Sequence, residues 1–197
     1  MSLSPHHSLL EADDSLLVII DVQDKFLCRL TDACAERVVE RATWLARVAG
    51  WLQVPVLVTA EEVPVMGPTT SRIAEALPPG TREYDKMVFD LGGQDDIRSA
   101  VGDSERGTVI LLGLETDVCV AQSALGLAQA GYRVAVVSDA CAAPQDGHAA
   151  GLERLRNSCI VLVSTKSLFF EWVHDVERCH DFFRNSGIGV PEDLYIG

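Results

Sequence analysis

Short apolar runs alternate along the chain with longer segments whose apolar residues recur at helical spacing. The runs are about four to seven residues long, as in strands that are buried on both faces. Extended segments are predicted over residues 16–20, 56–59, 84–89, 109–112, 133–137 and 160–163. Helices are predicted over residues 33–52, 71–77, 95–101, 120–130, 147–157 and 166–173, the first with Asp32 as its N-cap. This alternation predicts an α/β fold with a doubly wound, Rossmann-like parallel sheet, whose right-handed crossovers bring all strand carboxyl ends to one edge.

The domain organisation follows from the absence of any break in this pattern. No internal repeat, low-complexity tract or long linker divides the chain, and 197 residues fit one domain. Residues 1–14 are polar and acidic, so we expect a partly flexible tail followed by a single domain over residues 15–197. We see no secretory signal and no apolar run that approaches the length of a membrane span.

The charge balance bears on the partners that the protein can have. Lys and Arg number 16 against 29 Asp and Glu, a formal net charge of −13, and no basic stripe interrupts the acidic surface. Such a chain repels phosphate backbones and anionic lipids, so we expect neither nucleic acid nor membrane as a partner. The six cysteines form no C-x-x-C pair, which favours reduced thiols and a cytoplasmic location.

One cysteine stands where chemistry is expected. The apolar run that begins at Val109 ends in a short polar turn, and Cys119 follows, just before the predicted helix over residues 120–130 that stops at Gly131. A thiol in the first turn of a helix is stabilised as the thiolate by the helix dipole and by free N–H groups. Ligands of open α/β sheets bind at the carboxyl ends of the strands. The pattern therefore predicts a nucleophile with a lowered pKa at this edge.

Two charged residues belong to the same predicted edge. Asp21 directly follows the first strand, and Lys86 lies in a half-apolar extended segment, although lysines are seldom buried without a partner. Singly, each residue has an ordinary explanation: an apolar cysteine is usually core, a strand-end Asp usually caps a turn, and a lysine is usually solvated. Together they supply a nucleophile, a proton acceptor and a cation that orients the carboxylate.

The local sequences around these residues resemble the isochorismatase-like cysteine hydrolase superfamily. The matching pieces are Ile-Ile-Asp-Val-Gln at residues 19–23, Asp-Lys at 85–86, Gly-Leu-Glu-Thr-Asp-Val-Cys-Val at 113–120 and Val-Val-Ser-Asp-Ala at 136–140. The similarity extends over residues 16–172. The resemblance implies a three-layer αβα sandwich with a six-stranded parallel sheet. It also implies hydrolysis of amides and related C–N bonds by an Asp, Lys and Cys triad.

Residue by residue, the resemblance assigns the triad to Asp21, Lys86 and Cys119. It implies a cis peptide between Leu114 and Glu115, and an oxyanion hole made by the backbone N–H groups of Glu115 and Cys119. The side chain of Glu115 then has no part in the chemistry. Family members commonly form dimers or larger assemblies, so the resemblance also implies a homo-oligomer. The candidate substrate-pocket residues, taken from the adjoining loops, are Gln23, Phe26, Glu61 and Met66.

The sequence differs from several branches of the family, and these differences argue against some of the reactions that a related fold could catalyse. The metal-binding nicotinamidases carry an Asp-x-His motif after the second strand, whereas Thr-Ala-Glu-Glu-Val stands at residues 59–63 here, so we expect no metal and no cofactor. Family members that cleave a vinyl ether lack the cysteine, and Cys119 argues against that reaction. Phosphoryl transfer from Asp21 is disfavoured, because the next aspartate is Asp24 rather than residue 23 and no glycine-rich phosphate loop follows.

Two functions of different classes remain at this point. The first is a cysteine hydrolase that cleaves a small amide, imide, carbamoyl or related C–N bond through a thioester, with a small molecule as its substrate. The alternative is a non-catalytic domain of the same fold that binds a protein partner or a ligand. An intact triad favours the hydrolase, whereas a thiol of ordinary reactivity without any turnover would favour the binding module.

Overall fold

The computed structural model describes residues 9–196, and six strands of this region form one sheet. All neighbouring strands pair in parallel, in the order β3-β2-β1-β4-β5-β6. The strands are β1 Ser15–Ile20, β2 Val56–Glu61, β3 Glu83–Lys86, β4 Thr108–Leu114, β5 Arg133–Ala142 and β6 Val161–Val163. The predicted doubly wound parallel sheet is therefore confirmed, and the predicted tail over residues 1–14 lies largely outside the described residues.

Helices connect the strands and cover both faces of the sheet. They are α1 Asp24–Leu27, α2 Asp32–Leu52, α3 Val63–Met66, α4 Ser71–Ala74, α5 Asp95–Asp103, α6 Ala121–Gln129, α7 Gly147–Asn157, α8 Thr165–Val173 and α9 Val176–Asn185. Right-handed crossovers place α2 on one face and α5, α6 and α7 on the other, which makes three layers.

Several element boundaries differ from the sequence-based expectation. Helix α2 includes Asp32, and its N-cap is Thr31, whose hydroxyl accepts a hydrogen bond from the Cys34 N–H. Helix α9 was not predicted, because most of its ten residues are charged or polar and only Cys179 and Phe182 are buried. Strand β5 continues five residues beyond the predicted end, through Ser138 and Asp139 into three small buried residues.

An aromatic cluster attaches the two C-terminal helices to α2. The Trp44 ring of α2 lies with its centroid 5.2 Å from that of Phe169 in α8 and 6.3 Å from that of Phe182 in α9. Phe169 and Phe182 are themselves 4.9 Å apart in an edge-on arrangement. Such contacts are favourable beyond the area that they bury. Phe182 thus explains how a largely polar helix is held on the domain.

The two central strands approach one another closely where they lead into the candidate site. All residues of β1 and β4 are buried. Gly113 pairs with Ile20, has a φ of +124°, and would bring a Cβ atom to 2.0 Å from the Ile20 carbonyl oxygen. Only glycine fits this position. The close approach sets the relative position of Asp21 and of the turn after β4.

Replacing this glycine tests whether the close approach is required. We expect Gly113→Ala to lower the free energy of unfolding by about 3 kcal/mol or more, because backbone must move to admit the methyl group. Gly131→Ala is the matched control: Gly131 also has a positive φ, of +98°, but its Cβ would meet no atom within 4 Å. That control is expected to cost only about 1 kcal/mol. Urea unfolding of the variants measures both values, and equal losses would contradict this account.

Candidate active site

Asp21 is held firmly at the end of β1. It has a positive φ of 52°, and its N–H donates to the Thr59 carbonyl at 2.9 Å. The carboxylate is buried, and its Oδ1 accepts a hydrogen bond from the Thr59 hydroxyl at 2.8 Å. Its other oxygen, Oδ2, lies 2.9 Å from the Lys86 Nζ. One carboxylate oxygen is thus held from the neighbouring strand β2, and the other from β3, one strand farther along the sheet.

Lys86 is the last residue of β3 and carries a fully buried ammonium group. Its Nζ donates to the Val88 carbonyl at 2.6 Å and lies 3.6 Å from the Cys119 Sγ. With the Asp21 carboxylate, these groups take up the three N–H bonds of the ammonium. Lys86 therefore contacts both the Asp21 carboxylate and the Cys119 thiol.

Cys119 lies in a distorted turn between β4 and α6. Thr116–Val120 form a π-helical turn, and the Val120 N–H donates to the Glu115 carbonyl at 3.2 Å. The peptide bond between Leu114 and Glu115 is cis. The cysteine therefore precedes α6 rather than lying in its first regular turn. Its side chain is only 4% exposed.

The pKa of the Cys119 thiol differs from the sequence-based expectation. Burial raises this pKa, and the negative charge of Asp21 raises it further. The Lys86 ammonium opposes both with a smaller effect, and Glu61 adds a weaker upward contribution. The expectation of a lowered pKa is therefore wrong for the free protein. The helix terminus does not outweigh burial next to two carboxylates, and the resting Cys119 side chain is a neutral thiol.

The two members of the buried ion pair, Asp21 and Lys86, both have a raised pKa. Burial raises the pKa of Asp21, although Lys86 and the Thr59 hydroxyl act in the opposite direction. Burial alone would lower the pKa of Lys86, but the negative groups around it, Asp21 first, leave that pKa raised. Lys86 thus stays a cation. A carboxylate with a raised pKa accepts a thiol proton more readily than an ordinary one.

Glu61 is a fourth member of this cluster. Its Oε2 accepts a hydrogen bond from the Cys119 Sγ at 3.4 Å and lies 3.8 Å from the Lys86 Nζ. Sequence reasoning placed Glu61 only among the candidate pocket residues. Glu61 is the last residue of β2 and Lys86 the last residue of the neighbouring β3, and the two are register partners. The position of Glu61 at the end of a predicted strand was the sequence signal that could have placed it in the cluster.

The cluster also has the donor set of a small metal site. Ligand atoms of Asp21, Glu61 and Cys119 lie within 4.8 Å of one another. The Lys86 ammonium, however, stands 2.9 Å from one carboxylate and 3.8 Å from the other. It already supplies positive charge at the place where a cation would bind, so the residues present do not favour a metal there.

The other candidate pocket residues occupy different environments. Gln23 is fully buried, and its amide group donates to the Glu61 carbonyl at 2.9 Å and to the Gly67 carbonyl at 2.5 Å, and accepts from the Glu61 N–H at 2.8 Å. It therefore holds the segment after β2 in place. Met66 lines a surface cavity of about 750 Å³, which the loop at Pro68 also borders.

Phe26 and Glu115 are joined through Arg29. The Arg29 guanidinium lies 4.6 Å from the centroid of the buried Phe26 ring, and its Nη1 lies 3.3 Å from a carboxylate oxygen of Glu115. The carboxylate of Glu115 thus pairs with the segment after α1. The contact is half-exposed, so its direct contribution to stability is small.

Comparisons with known proteins agree with this fold. The isochorismatase domain family matches residues 15–167. Mouse isochorismatase domain-containing protein 2A is 33% identical over 84% of this chain and 78% of its own. The secreted isochorismatase effector Isc1 of Phytophthora sojae is 33% identical over 82% of this chain and 78% of its own. The Escherichia coli YcaC gene product, described as an octameric hydrolase of unknown specificity, superposes with a TM-score of 0.83 at 20% identity over 91% of each chain.

Within residues 9–196, no helix combines the length and the apolar character that crossing a bilayer requires.

The charge network predicts how the Cys119 pKa responds to substitution. Asp21→Asn removes the negative charge that raises the thiol pKa most, so the apparent pKa of Cys119 alkylation by iodoacetamide should fall by about one unit or more. Asp24→Asn is the control, because Asp24 is exposed and lies outside the cluster. Mass spectrometry of the Cys119 peptide across a pH series gives the profile, with the exposed Cys28 as internal reference. An unchanged or higher pKa in Asp21→Asn would contradict the network.

Proposed function

The chain belongs to the isochorismatase family of hydrolase-like proteins, and we propose that it is a cysteine hydrolase of small amides, imides, carbamoyl compounds or related C–N substrates. One observation carries the proposal. The Cys119 sulfur, the Asp21 carboxylate and the Lys86 ammonium meet in a single buried cluster, within 3.6 Å of the ammonium nitrogen. No cofactor takes part in the proposed reaction.

Acylation begins from the neutral thiol. Asp21 accepts the thiol proton as the sulfur of Cys119 forms a bond to the substrate carbonyl carbon, and the carbonyl electrons move to oxygen. The backbone N–H groups of Glu115 and Cys119 are the proposed donors to this oxyanion. The protonated Asp21 then gives its proton to the nitrogen as the C–N bond breaks. The products of this half-reaction are a free amine and a thioester on Cys119.

Deacylation uses the same carboxylate a second time. Asp21 accepts a proton from a water molecule whose oxygen attacks the thioester carbonyl. When the tetrahedral intermediate collapses, the C–S bond breaks and the sulfur of Cys119 recovers that proton from Asp21. One water molecule is consumed for each amine and carboxylic acid released, and the protein returns to its resting state.

Lys86 acts through Asp21 in this scheme. Its ammonium lies 2.9 Å from the carboxylate and keeps it oriented toward the sulfur. A positive charge at this position also favours the thiolate while the sulfur is the leaving group during deacylation. Lys86 is therefore a positioning and electrostatic residue rather than a proton donor, since its raised pKa holds it charged.

Several wider features belong to the same proposal. We infer a homo-oligomer, in line with the octameric assembly described for YcaC. The substrate is a small molecule, and the domain extends over residues 15–197. A cytoplasmic location fits the six free cysteines, which are all without a disulfide partner in the described residues. Glu61 and Met66 are the proposed pocket residues that retain side-chain exposure.

The triad is tested by single substitutions against a panel of small amides and ureides. Cys119→Ala should abolish hydrolysis, and Asp21→Asn should reduce kcat/KM by about a hundredfold or more, because the proton acceptor is lost. Asp24→Asn is the matched control and should retain the wild-type value. Release of ammonia or amine measures turnover. Wild-type-like turnover in Cys119→Ala would refute the nucleophile, and a complete absence of turnover across the panel would favour a binding module.

The pH dependence of kcat/KM gives a second test. Asp21 must be ionised to accept the thiol proton, and its pKa is raised above the ordinary value of 3.8. Activity should therefore rise with pH through this raised pKa, and the acidic limb of the profile should lie above pH 3.8. Steady-state rates between pH 4 and 9 measure the limb, at about half-unit steps. A profile that stays flat throughout that interval would contradict general-base catalysis by Asp21.

A further inference from the structure

We propose that Glu61 determines substrate specificity by selecting molecules that carry a cationic group, such as a protonated amine or amidine, close to the scissile carbonyl. The same carboxylate disfavours molecules with an anionic group at that place. This inference rests on the proposed function, since it names the substrate class for the same site. It assigns to Glu61 a contact with substrate that the hydrolytic steps do not use.

Glu61 is the charged group of the cluster that an arriving molecule meets first. Its side chain is 22% exposed to solvent, whereas that of Asp21 is 1% exposed and that of Lys86 is fully buried. Cys119 itself is 4% exposed. Glu61 is therefore the charged group that a molecule at the sulfur can contact, since it lies 3.4 Å from that sulfur, whereas the Asp21–Lys86 ion pair is covered.

The charge of Glu61 is only partly balanced. The N–H bonds of Lys86 are directed to Asp21, Val88 and the Cys119 sulfur, and Glu61 stands farther from the ammonium, at 3.8 Å. With a neutral thiol, two carboxylates face one ammonium, so the cluster has a net charge of −1. An anion that enters is repelled at short range, and a cation is attracted.

Acylation removes the hydrogen-bond donor that Glu61 has in the resting protein. Its Oε2 accepts from the Cys119 thiol at 3.4 Å, and this proton leaves when the thioester forms. A half-buried carboxylate oxygen without a donor is unfavourable. A cationic or amidine N–H on the acyl group, next to the sulfur, would restore the lost donor. The loss of the thiol proton on acylation is therefore the reason to expect a cationic N–H donor on the substrate.

The backbone around Glu61 does not let the carboxylate move away with its strand. The amide of the buried Gln23 bonds to both the N–H and the carbonyl of Glu61, at 2.8 and 2.9 Å. On its other side, Glu61 pairs in register with Lys86 across the sheet. A carboxylate on so fixed a backbone provides the pre-organised charge on which selectivity depends.

Charge-matched alkylating reagents test the inference without requiring the natural substrate. Iodoacetate is anionic, iodoacetamide is neutral, and 2-bromoethylammonium is cationic. The rate at Cys119 for each reagent, divided by the rate at the exposed Cys28 in the same sample, removes the intrinsic reactivity. We expect wild type to favour the cationic over the anionic reagent at Cys119 by about tenfold on this scale.

Glu61→Gln should reduce this preference to about one, because the isosteric amide keeps the size and removes the charge. Glu62→Gln is the matched control, since Glu62 is exposed and its substitution changes the net charge of the protein equally. It should retain the wild-type preference. A lower thiol pKa in Glu61→Gln would speed all three reagents alike and would cancel in the ratio.

Each contrary outcome has a defined meaning. The inference would be overturned if the cationic-to-anionic rate ratio at Cys119 were unchanged in Glu61→Gln, or if Glu62→Gln lowered that ratio equally. It would also be overturned if Glu61→Gln slowed all three reagents by the same factor, because that would indicate a general-base role for Glu61. Failure of all three reagents to reach Cys119 would overturn it too, because a substrate of that size must reach the sulfur. Charge selectivity without any amide turnover would refute the proposed hydrolysis alone, and turnover without charge selectivity would refute only the role of Glu61.

Discussion

The buried ion pair between Lys86 and Asp21 is the interaction on which the rest of the site depends. Neither side chain has appreciable contact with water, and their charged atoms lie 2.9 Å apart. Removing one partner from such a pair leaves an uncompensated buried charge, which typically costs about 3–5 kcal/mol. The pair links the ends of β1 and β3, two strands that are not neighbours in the sheet. The ion pair therefore holds the carboxyl ends of these two strands together, and it also holds Asp21 and Lys86 next to Cys119.

This pair also determines in which protonation state the nucleophile rests. Many reactive cysteines are ionised beforehand by a helix terminus or a nearby cation. In this protein the cation is already matched by Asp21, and Glu61 adds a second negative charge 3.4 Å from the sulfur. In the proposed reaction the thiol consequently keeps its proton until a substrate is present and Asp21 removes it. Such an arrangement protects a buried thiol from adventitious oxidation, because the thiolate is the reactive form.

Much of the fold was predictable because strand and helix periodicities are local properties. Apolar runs marked five of the six strands, and a half-apolar segment marked β3. The shared carboxyl edge of a parallel sheet brought Asp21, Lys86 and Cys119 together in prediction as in structure. Helix α9 escaped prediction because its binding to the domain depends on Phe182 packing on Trp44, a contact distant in sequence. The Cys119 pKa was misjudged for a related reason: its direction depends on burial and on the nearby charge of Asp21, which only the assembled sheet brings next to the thiol.

The central claim is that Cys119 carries the substrate acyl group as a thioester during turnover. The most direct measurement is rapid acid quenching of the protein during hydrolysis of an amide, followed by peptide mapping by mass spectrometry. The account predicts an acyl adduct on the Cys119 peptide that neutral hydroxylamine removes and that the other five cysteines lack. Continued turnover with no adduct at Cys119, or an adduct on a different residue, would contradict it.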